Sequence, residues 1–218
     1  MADQIVGSTA STIWDRVPPI GLTGYPGLRI GVLALQGSFL EHSLMLRRLG
    51  VDVVEVRTPD QLKGINGLIL PGGESTTIST LIGLHGFRDP ILEVADAGMP
   101  IWGTCAGMIL LARSLTQEPP VPLRLINIDV SRNAFGRQLA SFEAPITWSV
   151  FGAPPFPGIF IRAPSITDVD PEVEILASIL DEIPVAARQM NIVVSSFHPE
   201  LTTDDRFHRY FIDMVKEA

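Results

Sequence analysis

The strongest constraint on this chain is an alternation of two kinds of segment between residues 28 and 104. Short, nearly continuous apolar runs occur at 29–35 (RIGVLAL), 51–56, 67–70 (GLIL) and from 100 to 102. Runs of this length with no polar alternation suit strands buried on both faces. Between them lie stretches with helical spacing. Residues 39–49 place Phe39, Leu40, Leu44, Leu46 and Leu49 at roughly helical intervals and stop at Gly50, and 76–84 and 87–97 read the same way. Strand and helix alternating in this way predict a three-layer α/β/α fold with a mostly parallel central sheet. Such sheets bind ligands beyond the carboxyl ends of their strands. Three glycine-containing segments fall at those ends: Gln36-Gly37, 71–75 (PGGES) and 103–107 (GTCAG).

The second half is built differently. Short β-like runs at 125–130, 144–150, 158–161, 174–179, 184–188 and 192–197 are separated by proline-rich turns, and an amphipathic helix over about 204–215 comes last. No repeat or composition break divides residues 28–218, so they read as one domain. Residues 1–27 carry only Asp3, Asp15 and Arg16 as charges and show neither helical nor strand periodicity, so either a loosely ordered extension or an overrun upstream of the true start is expected there. A basic start followed by an apolar stretch and a small-residue cleavage site is missing, which argues against a signal peptide.

Composition removes several classes of function. The formal charge of −8 opposes binding to nucleic acid or to anionic lipid. A lone cysteine, Cys105, excludes an intrachain disulfide and a multi-cysteine metal site. No apolar run approaches the ~18 residues of a membrane span. The chain reads as a cytosolic globular protein.

Gly103-Thr104-Cys105-Ala106-Gly107 has the form of a nucleophile elbow, a strand, tight turn and helix with glycines flanking the turn. The turn would place the sulfur at the amino end of a helix over 106–113, where unpaired N–H groups favour a thiolate. A lone cysteine among apolar residues is otherwise a small buried hydrophobe; the glycine frame after a short strand favours the reactive reading. In Ser196-Phe197-His198-Pro199-Glu200, the proline holds His198 extended, so that His198 and Glu200 face one way. Glu200 would then fix the imidazole tautomer, leaving the other nitrogen to take a proton from Cys105. Alone, His-x-Glu also fits a surface pair.

Pro71-Gly72-Gly73-Glu74-Ser75 fits either a donor loop for an oxyanion, with Ser75 capping the next helix, or an ordinary turn. It lacks the ending of a phosphate-binding loop, and no GxGxxG occurs, so no nucleotide cofactor is indicated. No zinc spacing appears among the four histidines, and no metal is expected. Arg132 and Arg162 suit either a grip on a substrate carboxylate or a solvated surface. His42 and His208 read as helix-surface residues, and the three tryptophans are scattered.

LALQG (33–37), LILPGGESTT (68–77), GTCAGM (103–108), RNAFGRQ (132–138), SFEAP (141–145), FIRAP (160–164) and SSFHPELT (195–202) occur in that order. Together they resemble the glutaminase subunits of pyridoxal 5'-phosphate synthase, a branch of the class I glutamine amidotransferases, from about Arg29 to the C-terminus. The elbow and the HPE pair are shared across class I; PGGEST, RNAFGRQ and FIRAP single out the branch. Arg124 departs from the pattern, standing where a glycine often precedes the apolar run.

The resemblance implies a flavodoxin-like fold, with residues 28–218 as the glutaminase domain, and hydrolysis of L-glutamine to glutamate and ammonia without a cofactor. Carried over by position, Cys105 is the nucleophile, His198 the acid/base and Glu200 the orienting carboxylate. Gly73 and Ala106 supply oxyanion N–H groups, and Gly73, Glu74, Ser75, Arg132, Ile161 and Arg162 bind glutamine. The implied partner is a (β/α)8-barrel synthase subunit in a twelve-plus-twelve complex, which receives the ammonia and activates the glutaminase. A glutaminase serving histidine or purine synthesis, a PfpI-type cysteine hydrolase and a non-catalytic scaffold subunit are the alternatives. They are disfavoured respectively by RNAFGRQ and FIRAP, by the late HPE pair, and by the intact triad.

Overall fold

A computed structural model describes residues 24–132, 141–148, 152–180 and 182–218. Its elements begin with β1 (Arg29–Leu33), α1 (Phe39–Arg48), β2 (Asp52–Val56), β3 (Gly67–Leu70), α2 (Ser75–Leu84) and α3 (Arg88–Asp96). Then come β4 (Ile101–Thr104), α4 (Ala106–Leu111), β5 (Ala112–Leu115), β6 (Ile126–Ser131), β7 (Ser141–Trp148), β8 (Phe156–Ile161) and β9 (Ser165–Val169). β10 (Glu174–Ile179), β11 (Ile183–Gln189), β12 (Ile192–Ser195) and α5 (Arg206–Glu217) complete the order.

The main sheet has nine strands in the order β2-β1-β3-β4-β12-β11-β10-β7-β8. From β2 to β12 neighbouring strands run parallel, and from β12 to β8 they run antiparallel. Two apolar layers sandwich the sheet because successive strand residues face opposite sides. Ile101 joins Ile78, Ile82 and Ile91 of α2 and α3 on one face, while Trp102 joins Met45 and Leu46 of α1 and Phe211 of α5 on the other. Trp102 stacks on Phe207 with ring centroids 4.6 Å apart, and Trp148 meets the same phenylalanine edge-on at 4.3 Å. Two of the three tryptophans therefore converge on one core, while Trp14 lies outside the described residues.

Three local features differ from the expectation. The helix after Cys105 ends at Leu111 rather than residue 113, and Arg113 belongs to β5. The reason is a second, three-stranded sheet, β5-β6-β9. There the Arg113 guanidinium meets Asp129 at 2.9 Å and Asp168 at 3.1 Å. The strand β9 carries too little apolar pattern to be read from sequence. Arg124 takes φ +63, in the left-handed region a glycine would occupy more easily. Its neighbours explain this: the N–H groups of Leu123 and Leu125 bond the carbonyls of Leu110 and Leu111, forcing Arg124 outward.

Before β1, the Tyr25 N–H donates to the Gly50 carbonyl at 3.2 Å, and Lys216 lies over the Tyr25 ring. Residues 1–23 of the expected extension lie outside the described residues. Among the described residues, no helix is long and apolar enough to cross a membrane.

Gly107 shows how tightly β3, β4 and α4 meet. A Cβ there would lie 2.1 Å from the Leu70 carbonyl oxygen, which is backbone and unable to swing aside. In an open helix Gly→Ala gains ~1 kcal/mol. Here Gly107→Ala is expected to lose about 1–3 kcal/mol by overpacking, read as a lowered urea midpoint; an unchanged or raised midpoint would contradict this packing.

Candidate active site

The register of the parallel strands brings four chain segments to one sheet edge. Leu70 pairs with Gly103 and Ser195 with Thr104, so β3, β4 and β12 end side by side, with β1 flanking β3. Just beyond these strand ends lie Gln36–Ser38, the PGGES loop, Cys105 and the SFHPE segment. They line a cavity of about 350 Å³ whose walls include Gly73, Glu74, Ser75, Cys105, Arg132, Ile161, Arg162 and His198. All the glutamine-binding positions implied by the resemblance thus face one space. Of RNAFGRQ only Arg132 is described; 133–138 lie outside the described residues.

Cys105 sits at φ +48 and ψ −100, immediately before α4. A non-glycine residue in that region carries strain of about 1–3 kcal/mol. The turn is closed so tightly that a Cβ on Gly103 would meet the Gly107 carbonyl carbon at 2.5 Å. The Cys105 N–H donates to the Ser195 carbonyl at 2.7 Å, tying the elbow to β12. Ala106 begins α4, so its N–H is among those without a partner inside the helix. The helix has only six residues, so its dipole contributes less than that of a longer helix would.

His198 comes after β12 and is anchored by its N–H on the Ile159 carbonyl at 2.8 Å. Its Nδ1 lies 2.7 Å from Glu200 Oε1. The two side chains meet as expected, but by another backbone route. Pro199–Leu201 form a 3-10 turn rather than continuing an extended segment. Gly72 leaves the ring its space, since a Cβ there would lie 2.4 Å from His198 Cε1. Burial works against a charged His198, but the Glu200 carboxylate and a hydrogen bond with Cys105 outweigh it and raise the ring to about 10. Burial likewise opposes an ionised Glu200; His42, His198 and the Ser38 hydroxyl overcome that and hold it well below the usual carboxylate range.

The PGGES loop is held by residues whose part the sequence did not disclose. Glu74 N–H donates to Gln36 Oε1 at 2.9 Å, and Ser38 N–H to the Gly72 carbonyl at 3.0 Å. Ser38 Oγ also donates to Glu200 Oε1 at 2.7 Å. Glu74, not Ser75, caps α2, accepting from Thr76 N–H at 3.1 Å, while Ser75 is buried in the first turn. Arg132 reaches across to Glu74 Oε1 at 3.6 Å and Thr76 Oγ1 at 3.3 Å and also bonds the Pro119 carbonyl. Arg162 stands exposed at the rim.

His42 and His208 are not surface residues. Both are fully buried behind Glu200, with His42 Nδ1 3.1 Å from His208 Nε2. The buried faces of their helices run through 42, 45, 46 and 208, 211, 212, a frame that includes the histidines and leaves Leu40 exposed. Placing the frame on leucines alone misses them. Burial depresses both rings below the ordinary imidazole value of 6.5.

These shifts fix the pH dependence of stability. His198, raised in the folded chain, contributes fully below 6.5 and loses its contribution as pH climbs toward about 10. His42 and His208, lowered, contribute fully above 6.5 and progressively less below it. Glu200 adds to the acid-side loss below 4.5. The urea midpoint should therefore fall on both sides of about pH 6.5, with a flatter acid limb in His208→Leu. A midpoint that keeps rising on acidification would contradict these assignments.

The sequence model of the SNO glutamine amidotransferase family matches residues 32–217. The pyridoxal 5'-phosphate synthase subunit PdxT of Dehalococcoides mccartyi is 50% identical over 192 residues, 87% of this chain and 98% of its own. That of Carboxydothermus hydrogenoformans is 50% identical over 188 residues, 86% of this chain and 98% of its own. A solved glutamine amidotransferase superimposes with a TM-score of 0.81 at 46% identity, covering 86% of this chain and 98% of that one. The chain belongs to the SNO glutamine amidotransferase family.

Proposed function

We propose that this chain is the glutaminase subunit of a pyridoxal 5'-phosphate synthase, cutting the side-chain amide of L-glutamine to glutamate and ammonia. The observation that carries the chemistry is Cys105 on a strained elbow, opening on the same cavity as a histidine whose other nitrogen is held by a buried carboxylate. The synthase assignment rests on the family match and on relatives of half identity that bear that name.

In this reading His198, held protonated at neutral pH by Glu200, has already received the thiol proton when Cys105 Sγ attacks the carboxamide carbon. The N–H groups of Gly73 and Ala106 receive the charge that develops on the carbonyl oxygen. The tetrahedral intermediate collapses as His198 returns the proton to the departing ammonia, leaving a γ-glutamyl thioester. Water, deprotonated by His198, then releases glutamate and restores the thiol. The opposite charges of Glu74 and Arg132 match the α-amino and α-carboxylate groups of a free amino acid; Ser75, Ile161 and Arg162 line the rest of the cavity.

Ammonia passes to a synthase subunit, a (β/α)8 barrel in a twelve-plus-twelve assembly, in the cytoplasm. Residues 28–218 form the glutaminase domain and 1–27 an extension to it, in keeping with the family match over 32–217. Removing one oxyanion donor costs ~100- to 1000-fold in rate. Docking that reshapes the PGGES loop is therefore a sufficient means of activation.

Glutamate release is the test. Cys105→Ala should abolish turnover and keep the fold, and wild-type turnover should rise sharply on adding the synthase subunit. Turnover retained in Cys105→Ala would remove the nucleophile assignment, and a rate indifferent to the synthase would remove the partner. Arg132→Leu should raise KM for glutamine with little change in kcat, the signature of lost uniform binding; a fall in kcat alone would place Arg132 elsewhere in the reaction.

A further inference from the structure

Behind Glu200 lies a polar chain that the triad does not account for. Glu200 Oε1 accepts from His198 and Ser38, but Oε2 is buried with no hydrogen bond aligned on it among the described residues. The group beside Oε2 is His42, with Nε2 at 3.3 Å. The same nitrogen is 3.2 Å from Thr104 Oγ1, one residue before Cys105. On the far side, His42 Nδ1 faces His208 Nε2 at 3.1 Å, and His208 Nδ1 has no partner among the described residues. The edge of His42 also packs on Trp102.

This geometry selects the tautomers. Two neutral rings share one proton between His42 Nδ1 and His208 Nε2. Were it on His42, a bare lone pair would face Oε2, and the remaining proton of His208 would sit on Nδ1 as a buried, unpartnered donor, at a cost of about 1–3 kcal/mol. With the proton on His208 Nε2, His42 instead carries its own on Nε2, directed to Thr104 Oγ1 with Glu200 Oε2 alongside. The second arrangement leaves no buried N–H without an acceptor.

We propose that His42 is a positioning residue for the catalytic base: its Nε2–H, fixed by the His208 ring behind it, steadies the second carboxylate oxygen of Glu200 and thereby holds His198 in register with Cys105. The inference rests on the Cys105–His198–Glu200 triad proposed for glutamine hydrolysis. Among the described residues, Glu200, His198 and His208 are the titratable groups facing His42. Burial keeps both His42 and His208 neutral at pH 7, so His42 acts as an oriented dipole rather than a fixed charge. No group of histidine, cysteine and carboxylate side chains among the described residues is arranged for a metal, which leaves hydrogen bonding as the chemistry of this cluster.

Two polar substitutions separate this role from mere filling of the core. Gln can place an N–H where His42 has Nε2, whereas Asn reaches only the Nδ1 position. With the synthase subunit at saturation, His42→Asn should lower kcat by about 10-fold or more, as losing a group that orients another typically does, with KM for glutamine unchanged. The acid limb of its pH profile should move upward, because Glu200 without this donor binds a proton more readily. His42→Gln should recover most of kcat and the original limb.

Equal behaviour of the two variants, whether both active or both lost, overturns the proposal, as does an unmoved acid limb in His42→Asn. Glu200→Gln separates the levels. If that chain works normally, the triad assignment itself fails; if it is impaired while His42→Asn is normal, only the role of His42 falls.

Discussion

Cys105 occupies a backbone conformation that an isolated chain would leave, and the surrounding packing keeps it there. Its N–H is taken by Ser195 of β12, and the helix after it is pressed so closely on β3 that Gly107 has no room for a side chain. The same contacts that hold the sulfur out of the sheet also set its distance from the PGGES loop and from His198. Three neighbouring parallel strands fix the site in one rigid unit, and a shift of any of them would move the reacting groups apart.

The second requirement is a carboxylate kept ionised out of water. An unpaired buried charge costs several kcal/mol. Glu200 avoids that penalty through donors contributed by distant parts of the chain. Ser38 comes from the turn after β1 and His198 from the loop after β12, while His42 of α1 places its Nε2 3.3 Å from the second carboxylate oxygen. The carboxylate therefore ties both halves of the chain to the site as well as orienting the imidazole. The proposed role of the two buried histidines extends this requirement to Oε2, beside which His42 Nε2 lies at 3.3 Å.

Most of the site's geography was legible in the sequence because it derives from strand periodicity. Apolar runs ending in glycine give strand ends, and a parallel sheet gathers strand ends at one edge. GTCAG and FHPE each carried enough local chemistry to be placed there. The support around them was harder to read. Gln36 and Ser38 act on a backbone N–H, a backbone carbonyl and a carboxyl group far away in sequence, so local spacing holds no signal for them. His42 and His208 do leave a signal, since each lies on the buried helical face set by Met45 and Leu46 or by Phe211 and Ile212. Treating histidine as polar, and so as exposed, hides that signal. The early end of α4 was equally hidden, because Ala112 and Arg113 have good helix propensity and only the pairing with β6 overrides it.

Covalent capture puts the role of Cys105 to its sharpest test. A glutamine-shaped chloromethyl ketone, applied to the chain docked with the synthase subunit, reports which nucleophile the cavity presents to a bound substrate. One equivalent of adduct is expected, mapped by peptide mass to the segment containing Cys105, with L-glutamine slowing its formation. Labelling that falls elsewhere in the chain, or proceeds at the same rate with glutamine present, would contradict a Cys105 nucleophile facing the glutamine site.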